Sequence, residues 1–242
     1  MNNTELTPLV DSDYLVYRVG FAVKDDEPVE YALATVRASL NNIWDRFPDS
    51  KNKGQLFLTG KGNFRDSVAT IQVYKGNRDP ANKPKYYSEI REYMIQHHDA
   101  QVVHGMEAED RVGVLQYGAK DRDTVIVGVD KDLLCIPGWH YNPVKDVLSY
   151  VTLPEANENF WAQVLTGDRV DNILGIPGMG PKTAAKVLAS CDQDWHKMHD
   201  AVLNEYKKYC GDAAEVTMDE TAKLIWILRK EGETYDGSAI AG

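Results

Sequence analysis

The 242-residue sequence holds only three cysteines, Cys135, Cys191 and Cys210, an odd number with no C-x-x-C spacing. That argues against a disulfide framework and against a zinc site built on paired cysteines, and it points to a reducing compartment. No apolar run approaches the roughly 20 residues a membrane-spanning helix needs. The opening MNNTELTPLV lacks the basic and apolar regions of a secretory leader. The expectation is a cytoplasmic, intracellular protein that contacts no membrane. Positive charge is scarce as well, with 27 basic against 37 acidic residues and a formal net charge of −10. By composition alone this disfavours a nucleic-acid binder, which normally shows a basic surface. Net charge misleads where acids are gathered in one site and bases in another, so their distribution decides. There is no internal repeat, no low-complexity tract and no flexible linker, and no apolar stripe marks a dimer face, so a monomer is expected.

What is present is an ordinary globular composition, 43% apolar and 26% charged. Short apolar runs at 7–10, 55–59, 101–106 and 124–129 alternate with amphipathic helical patterns at 29–47, 84–97 and 108–119. Such alternation predicts an α/β fold with a mostly parallel sheet flanked by helices. Ligands of such sheets bind beyond the carboxyl ends of the strands. Three of the four runs are followed at once by a carboxylate: Asp11, Glu107 and Asp130. After Tyr141 the pattern reads as helices at 143–150, 155–166, 181–190, 195–209 and 217–230, ending in a loose tail, GSAIAG. The chain therefore divides into a sheet domain over 1–142 and a helical region over 143–242.

The carboxylates recur in pairs. VDSDYLVYR places Asp13 two residues after Asp11, and VDKDLL places Asp132 two after Asp130, a spacing that points both side chains one way in extended backbone. In GMEAEDRVG, Glu107 and Asp110 share one face of a helical first turn, while regular spacing turns Glu109 elsewhere. Asp168 and Asp171 repeat the three-residue spacing. A single acid after a strand is more often a solvated loop residue. Several converging pairs would repel one another unless a cation sat between them. Oxygen-only donors suit Mg²⁺ or Mn²⁺, and two such ions are a common device for phosphodiester hydrolysis.

GDRVDNILGIPGMGPKTAAKVL, residues 167–188, follows the last pair. It is not a P-loop, because Pro181 separates Gly180 from Lys182 and no apolar strand precedes it. It reads as a helix–hairpin–helix over about 157–190. Gly175, Gly178 and Gly180 permit close approach or positive φ, and Pro181 suits a first helical turn. Free N–H groups there, with Lys182 and Thr183, would hold a DNA backbone phosphate without reading sequence. Further upstream, about 65–98, Arg65, Lys75, Arg78, Lys83, Lys85 and Arg91 mix with Tyr74, Tyr86, Tyr87 and Tyr93. Such a basic arch suits a single-stranded end threading towards metals, though Tyr86, Tyr87 and Tyr93 read better as core. His196 and His199 read as surface residues, and Trp161, Trp195 and Trp226 as core.

In this order, VDSDYLVYR, NFR with YKGNR, MEAEDRVG, VDKDLLCIP and GDRVDNILGIPGMGPKTA resemble the motifs of the 5′-nuclease superfamily. This is the group of flap endonucleases and phage-type 5′→3′ exonucleases with a PIN-like domain and a helix–hairpin–helix. The resemblance implies metal-dependent hydrolysis of DNA, or of RNA primers in hybrids, from a free 5′ end or a 5′ flap. It implies metal-ligand roles for Asp11, Glu107, Glu109, Asp110, Asp130, Asp132, Asp168 and Asp171. Lys75 would act on the scissile phosphate with help from Arg78. DNA would be bound by Tyr74, Lys83, Lys85, Gly175, Gly178, Gly180, Lys182 and Thr183. The cofactors implied are two Mg²⁺ or Mn²⁺ ions and K⁺ at the hairpin, and the partners are DNA and replication proteins.

One position departs from the family pattern. After the second apolar run the family carries an aspartate, and here the chain has Thr59 followed by Gly60. Asp11, Asp13 or water could cover the missing ligand. A second reading is therefore a structure-specific nucleic-acid binder with catalysis weakened by Gly60, which Gly60→Asp would restore. A PIN-type ribonuclease is a third reading, disfavoured by the duplex-tracking hairpin.

Overall fold

Alternation of side chains along each apolar run decides which face of the sheet they enter. The computed structural model, which describes residues 5–50, 53–79, 81–119 and 123–237, shows this directly. Strands β1 (Thr7–Asp11), β2 (Gln55–Asn63), β3 (Gln101–Gly105) and β4 (Thr124–Val127) are parallel. β5 (Gly138–Asn142) continues them in parallel, and β6 (Val147–Val151) closes the edge antiparallel, giving the order β3-β2-β1-β4-β5-β6. Val10, Leu56, Leu58, Val125 and Val127 enter one core, beneath α1 (Asp13–Ala22), α2 (Val29–Arg46) and α4 (Tyr87–His98). Leu9, Phe57, Val103 and Ile126, one residue out of phase, enter a second core against α5 (Ala108–Gly118). The short α3 (Arg65–Val68) follows β2 at the start of the arch segment.

Residues 143–150, expected as a helix, form instead the turn and the second strand of a hairpin with β5. Pro143 resembles a helix start, but the Asn142 side chain accepts from the amides of Val144 and Lys145 and turns the chain. Beyond the turn, VLSYV is a β-branched and aromatic alternation, and Tyr150 pairs across the ladder with Trp139, rings 5.2 Å apart. The sheet thus runs on to Val151, past residue 142 where the sequence pattern had suggested the helical region begins.

Beyond it come α6 (Leu153–Thr166), the two-residue strands β7 (Gly167–Asp168) and β8 (Ile173–Leu174), α7 (Pro181–Leu188), α8 (Trp195–Cys210) and α9 (Ala214–Ile225). α6 starts with a reciprocal capping box between Thr152 and Glu155. Phe160, Trp161, Trp195, Trp226 and Tyr235 form one buried aromatic cluster, with Phe160 stacked on Trp195 at 5.7 Å. The three tryptophans are core, as their spacing indicates. Among the described residues no helix is long and apolar enough to cross a membrane. Residues 238–242 of the closing GSAIAG lie outside the described residues.

One polar contact ties the parts together. Arg65, counted above in the basic arch, is 1% exposed and does not face solvent. Its guanidinium makes two hydrogen bonds to the fully buried Asp110, at 2.7 and 2.9 Å. It also donates to the carbonyls of Leu224 and Trp226, at 2.9 and 2.7 Å. Arg65→Ala leaves a buried carboxylate without its cation and is expected to cost about 3–5 kcal/mol, measured by urea denaturation.

Candidate functional site

The parallel strands deliver their carboxylates to one edge. Asp11 ends β1, Asp130 follows β4, and Glu107 caps α5 just beyond β3. β1 and β4 are neighbours at the point where the strand order reverses, the position at which open parallel sheets place ligands. The hairpin β7–β8 brings Asp168 and Asp171 to the same place, as the ion pairs show. Lys75 reaches from the arch to both Glu107 and Asp171, the latter at 3.4 Å. Arg78 also pairs with Asp171. Lys131 joins Asp168 at 2.8 Å and lies 3.8 Å from Asp132.

Titration behaviour reflects this crowding. Burial, then the charges of Asp13, Asp130 and Glu107, hold the Asp11 carboxyl well above the usual carboxylate range. Burial and Glu107 do the same to Glu109, against the opposing pull of Arg65. Glu109, which regular spacing would turn away, lies 3.8 Å from the Arg65 guanidinium and feels the charge of Glu107. Burial and Asp130 push Asp132 up to about 7. Burial also pushes Asp168 upward, but Lys131 and the amides of Val170 and Asp171 outweigh it and leave its pKa lowered.

Such a set suits a hard divalent cation. The donors are all oxygen, several resist ionising together, and one Asp132 oxygen is buried with no hydrogen-bond partner. Among the described residues no three acidic, histidine or cysteine side chains are already closed to ion-holding spacing. Lys75, Arg78 and Lys131 supply the compensating charge instead. Mg²⁺ or Mn²⁺ fits the chemistry of the donors, and Asp11, Glu107, Glu109, Asp130, Asp132, Asp168 and Asp171 are the residues that could hold it.

Several expectations change. Asp110 is not turned to the cluster: Arg65 and the amides of Glu107 and Leu228 occupy its oxygens. Tyr74 is buried beneath the site and not on a DNA-facing surface, its hydroxyl donating to Asp171 at 3.0 Å and Glu107 at 3.3 Å. Lys85 is spent on the carbonyls of Lys24, Asp25 and Glu27, which hold the turn between α1 and α2. Lys75 and Arg78 do not share a helical face, because their segment is a series of turns in which Lys75 has φ +54°. Asp13 begins α1 and is held by Arg91 and the Thr59 amide. Tyr86, Tyr87 and Tyr93 pack partly buried against the first core, as expected. Lys83 stays exposed, its ammonium 4.7 Å over the Tyr87 ring.

In the hairpin, Gly178 has φ +80°, and a Cβ on Gly175 would sit 2.2 Å from the backbone of Thr166. Gly180 needs neither freedom: it caps α7 in extended backbone with open space around its Cα. Lys182 and Thr183 are exposed beside it. His196 is exposed and His199 pairs with Asp200, so neither joins a metal site.

Two contributors were missed although both lie inside the quoted motifs. Asn63 donates to Glu107 at 2.8 Å, and Lys131 sits between the two aspartates of VDKDLL. Thr59 uses its hydroxyl to accept the Ala108 amide at 2.9 Å, which anchors the start of α5. Gly60 is a packing requirement: a Cβ there would lie 2.4 Å from the Val103 carbonyl and 2.6 Å from the His104 ring, where β2 and β3 slip register.

Gly60→Asp is therefore expected to destabilise the fold by about 1–3 kcal/mol, through overpacking, and not to improve the site; thermal melts check it. For Asp132, the folded pKa lies above the ordinary one, so the folded chain binds more protons between pH 3.8 and about 7. Without divalent ions, stability should fall as pH rises through that window. Asp132→Asn, or added Mg²⁺, should flatten this part of the profile in urea melts at stepped pH.

No protein-family model matches the chain. DNA polymerase I of Rhizobium leguminosarum is 29% identical over 211 residues, covering 74% of this chain and 20% of that protein. The 5′-3′ exonuclease of Buchnera aphidicola is 27% identical over 199 residues, covering 74% of this chain and 68% of the relative. The chain thus spans only about a fifth of the polymerase that it matches. In fold it is similar to the D15 protein of phage T5, co-crystallised with metal ions, with a TM-score of 0.62 over 90% of this chain and 88% of that one at 14% identity. The catalytic core of Rad2 in complex with DNA gives a TM-score of 0.53 over 98% of this chain and 84% of that one at 17% identity. By sequence the chain is related to 5′-nucleases, the group that its motifs resemble, and its fold is similar to that of the D15 protein and the Rad2 core.

Proposed function

We propose that this chain is a divalent-metal-dependent 5′→3′ exonuclease or flap endonuclease that hydrolyses DNA phosphodiesters in replication or repair, with RNA primers in hybrids as a further substrate. The observation that carries this reading is the meeting of Lys75 and Arg78 with Glu107 and Asp171, cations of the arch against carboxylates beyond the strand ends. Two Mg²⁺ or Mn²⁺ ions would supply Lewis acidity and charge for in-line hydrolysis. Asp11, Glu107, Glu109, Asp130, Asp132, Asp168 and Asp171 would hold them. With the acids so satisfied, Lys75 and Arg78 are free to pair with phosphate oxygens. The Lys75 ammonium, carried on a turn with its φ in the left-handed region, stabilises charge developing at the scissile phosphate. Tyr74 keeps Glu107 and Asp171 oriented from below.

The hairpin acts at a distance from the cut. Lys182 and Thr183 at the start of α7, with the Gly178 turn, hold one backbone phosphate of the duplex, and K⁺ would sit at this same loop. Lys83 faces solvent on the arch and contacts the single strand. The free thiols of Cys135, Cys191 and Cys210 accord with an intracellular setting. The working unit is a monomer, with replication proteins as partners.

Cleavage of 5′-flap and blunt duplexes, labelled separately at each end, tests the reading in Mg²⁺, Mn²⁺ or EDTA. Metal-dependent release from the 5′ side is expected, with loss of about 10²–10³-fold or more in Asp130→Ala/Asp132→Ala. Flap binding without cleavage under either metal would overturn it. Lys182→Ala should raise KM for duplex substrates and leave kcat within about threefold, since a phosphate contact remote from the reaction is uniform binding.

A further inference from the structure

The arch segment that carries Lys75 has no secondary structure of its own to hold it. Residues 71–78 are turns, and the left-handed backbone of Lys75 costs about 1–2 kcal/mol in isolation. Such a conformation persists only where the surroundings over-determine it. One side of the segment is fixed by the loop between β7 and β8. The Lys75 amide donates to the Asp171 carbonyl at 2.9 Å, Asn77 to the Arg169 carbonyl at 2.7 Å, and Asn172 to the Val73 carbonyl at 2.9 Å.

On the other side, where Val68, Ala69 and Tyr74 pack into the aromatic core, the polar anchor of the stem is a carboxylate. Glu220 of α9 is 7% exposed and has no cation partner among the ion pairs of the described residues. It accepts from the amides of Thr70 and Ile71, at 2.9 and 2.8 Å, and from the Thr70 hydroxyl. Burying a charge is costly unless its hydrogen bonds are filled, and here three donors of the arch stem fill them. α9 is in turn tied to the site. Arg65 takes the Leu224 and Trp226 carbonyls and grips Asp110, which accepts the Glu107 amide at 3.0 Å. A closed circuit results: Glu220 sets the stem of the arch, Arg65 and Asp110 set Glu107, and Lys75 meets Glu107 between them.

We propose that Glu220 is a positioning residue for the reaction, holding the arch stem through Thr70 and Ile71 so that the Lys75 ammonium is aimed at the carboxylate cluster. This rests on the nuclease reading above. Glu220 lies on α9, outside every motif of the resemblance, and touches neither Lys75 nor the acids.

The test uses the full chain on 5′-flap DNA with Mg²⁺ or Mn²⁺, comparing Glu220→Ala, Glu220→Gln, Lys75→Ala and the double variant Glu220→Ala/Lys75→Ala. Glu220→Ala should lower kcat by about 10–100-fold, the scale of a reacting group displaced by an ångström, with KM within about threefold. Glu220→Gln should recover most of the rate, because its amide oxygen still accepts from the two N–H groups. In the Lys75→Ala background, Glu220→Ala should cost almost nothing further. Losses that multiply in the double variant, or no rescue by glutamine, would overturn the proposal. Hydrogen exchange gives a readout independent of cleavage. Amides 70–78 should exchange at least about tenfold faster in Glu220→Ala, while those of α8 stay unchanged. Should the unaltered chain cleave nothing with either metal, the nuclease reading fails, whereas unchanged exchange at 70–78 would sink the positioning role itself.

Discussion

The Arg65–Asp110 pair is the contact on which the rest of the arrangement depends. A buried ion pair contributes little net stability by itself, because both charges lose water. What this pair contributes is a fixed relation among segments far apart in the chain. Arg65 follows β2, Asp110 lies in the first turn of α5, and the carbonyls that Arg65 takes come from the end of α9. Asp110 also accepts the Leu228 amide, and Ile227 enters the second core beside Val112 and Ile136. Remove the pair and α5, the arch stem and the C-terminal segment lose their common reference.

Around that reference the electrostatics are unfavourable by design of the sequence. Seven carboxylates gather beyond the strand ends, and burial first, then the neighbouring carboxylates, push Asp11, Glu109 and Asp132 up. Lysine and arginine side chains from two different segments offset the crowding: Lys75 and Arg78 from the arch and Lys131 from the turn after β4. A divalent ion would satisfy these carboxylates better than an ammonium does, and Lys75 and Arg78 would then be free to pair with phosphate. The net charge of −10, which by itself argued against nucleic acid, is explained by where the acids are.

Much of this was legible beforehand, for identifiable reasons. Four of the five parallel strands announced themselves because each is a short apolar run, three of them followed at once by a carboxylate, while β5, GWHYN, is no apolar run and did not. The hairpin was visible because Pro181 and the glycines of GIPGMG have few other uses. The errors have a common cause, which is that composition does not say which way a side chain turns. Arg65 and Tyr74 looked like part of a basic, aromatic arch but are buried beneath it, and Lys85 is occupied by three carbonyls. The strand at 147–151 falls in a stretch, 143–150, that reads as a helix because Pro143 imitates a helix start when the Asn142 turn is not seen.

Sequence by itself determined four strands of the sheet, their parallel sense and the identity of the acids, since short apolar runs alternating with helices leave few other arrangements. Only tertiary structure decided which acids face one another. Asp110 and Glu107 share one helical turn, yet one is consumed by Arg65 and the other meets Lys75. Tertiary structure also decided that Gly60 is a matter of space, because the Val103 carbonyl that forbids a side chain there belongs to a strand more than forty residues away. Local pattern sets the elements; contacts between distant segments assign each charge its partner.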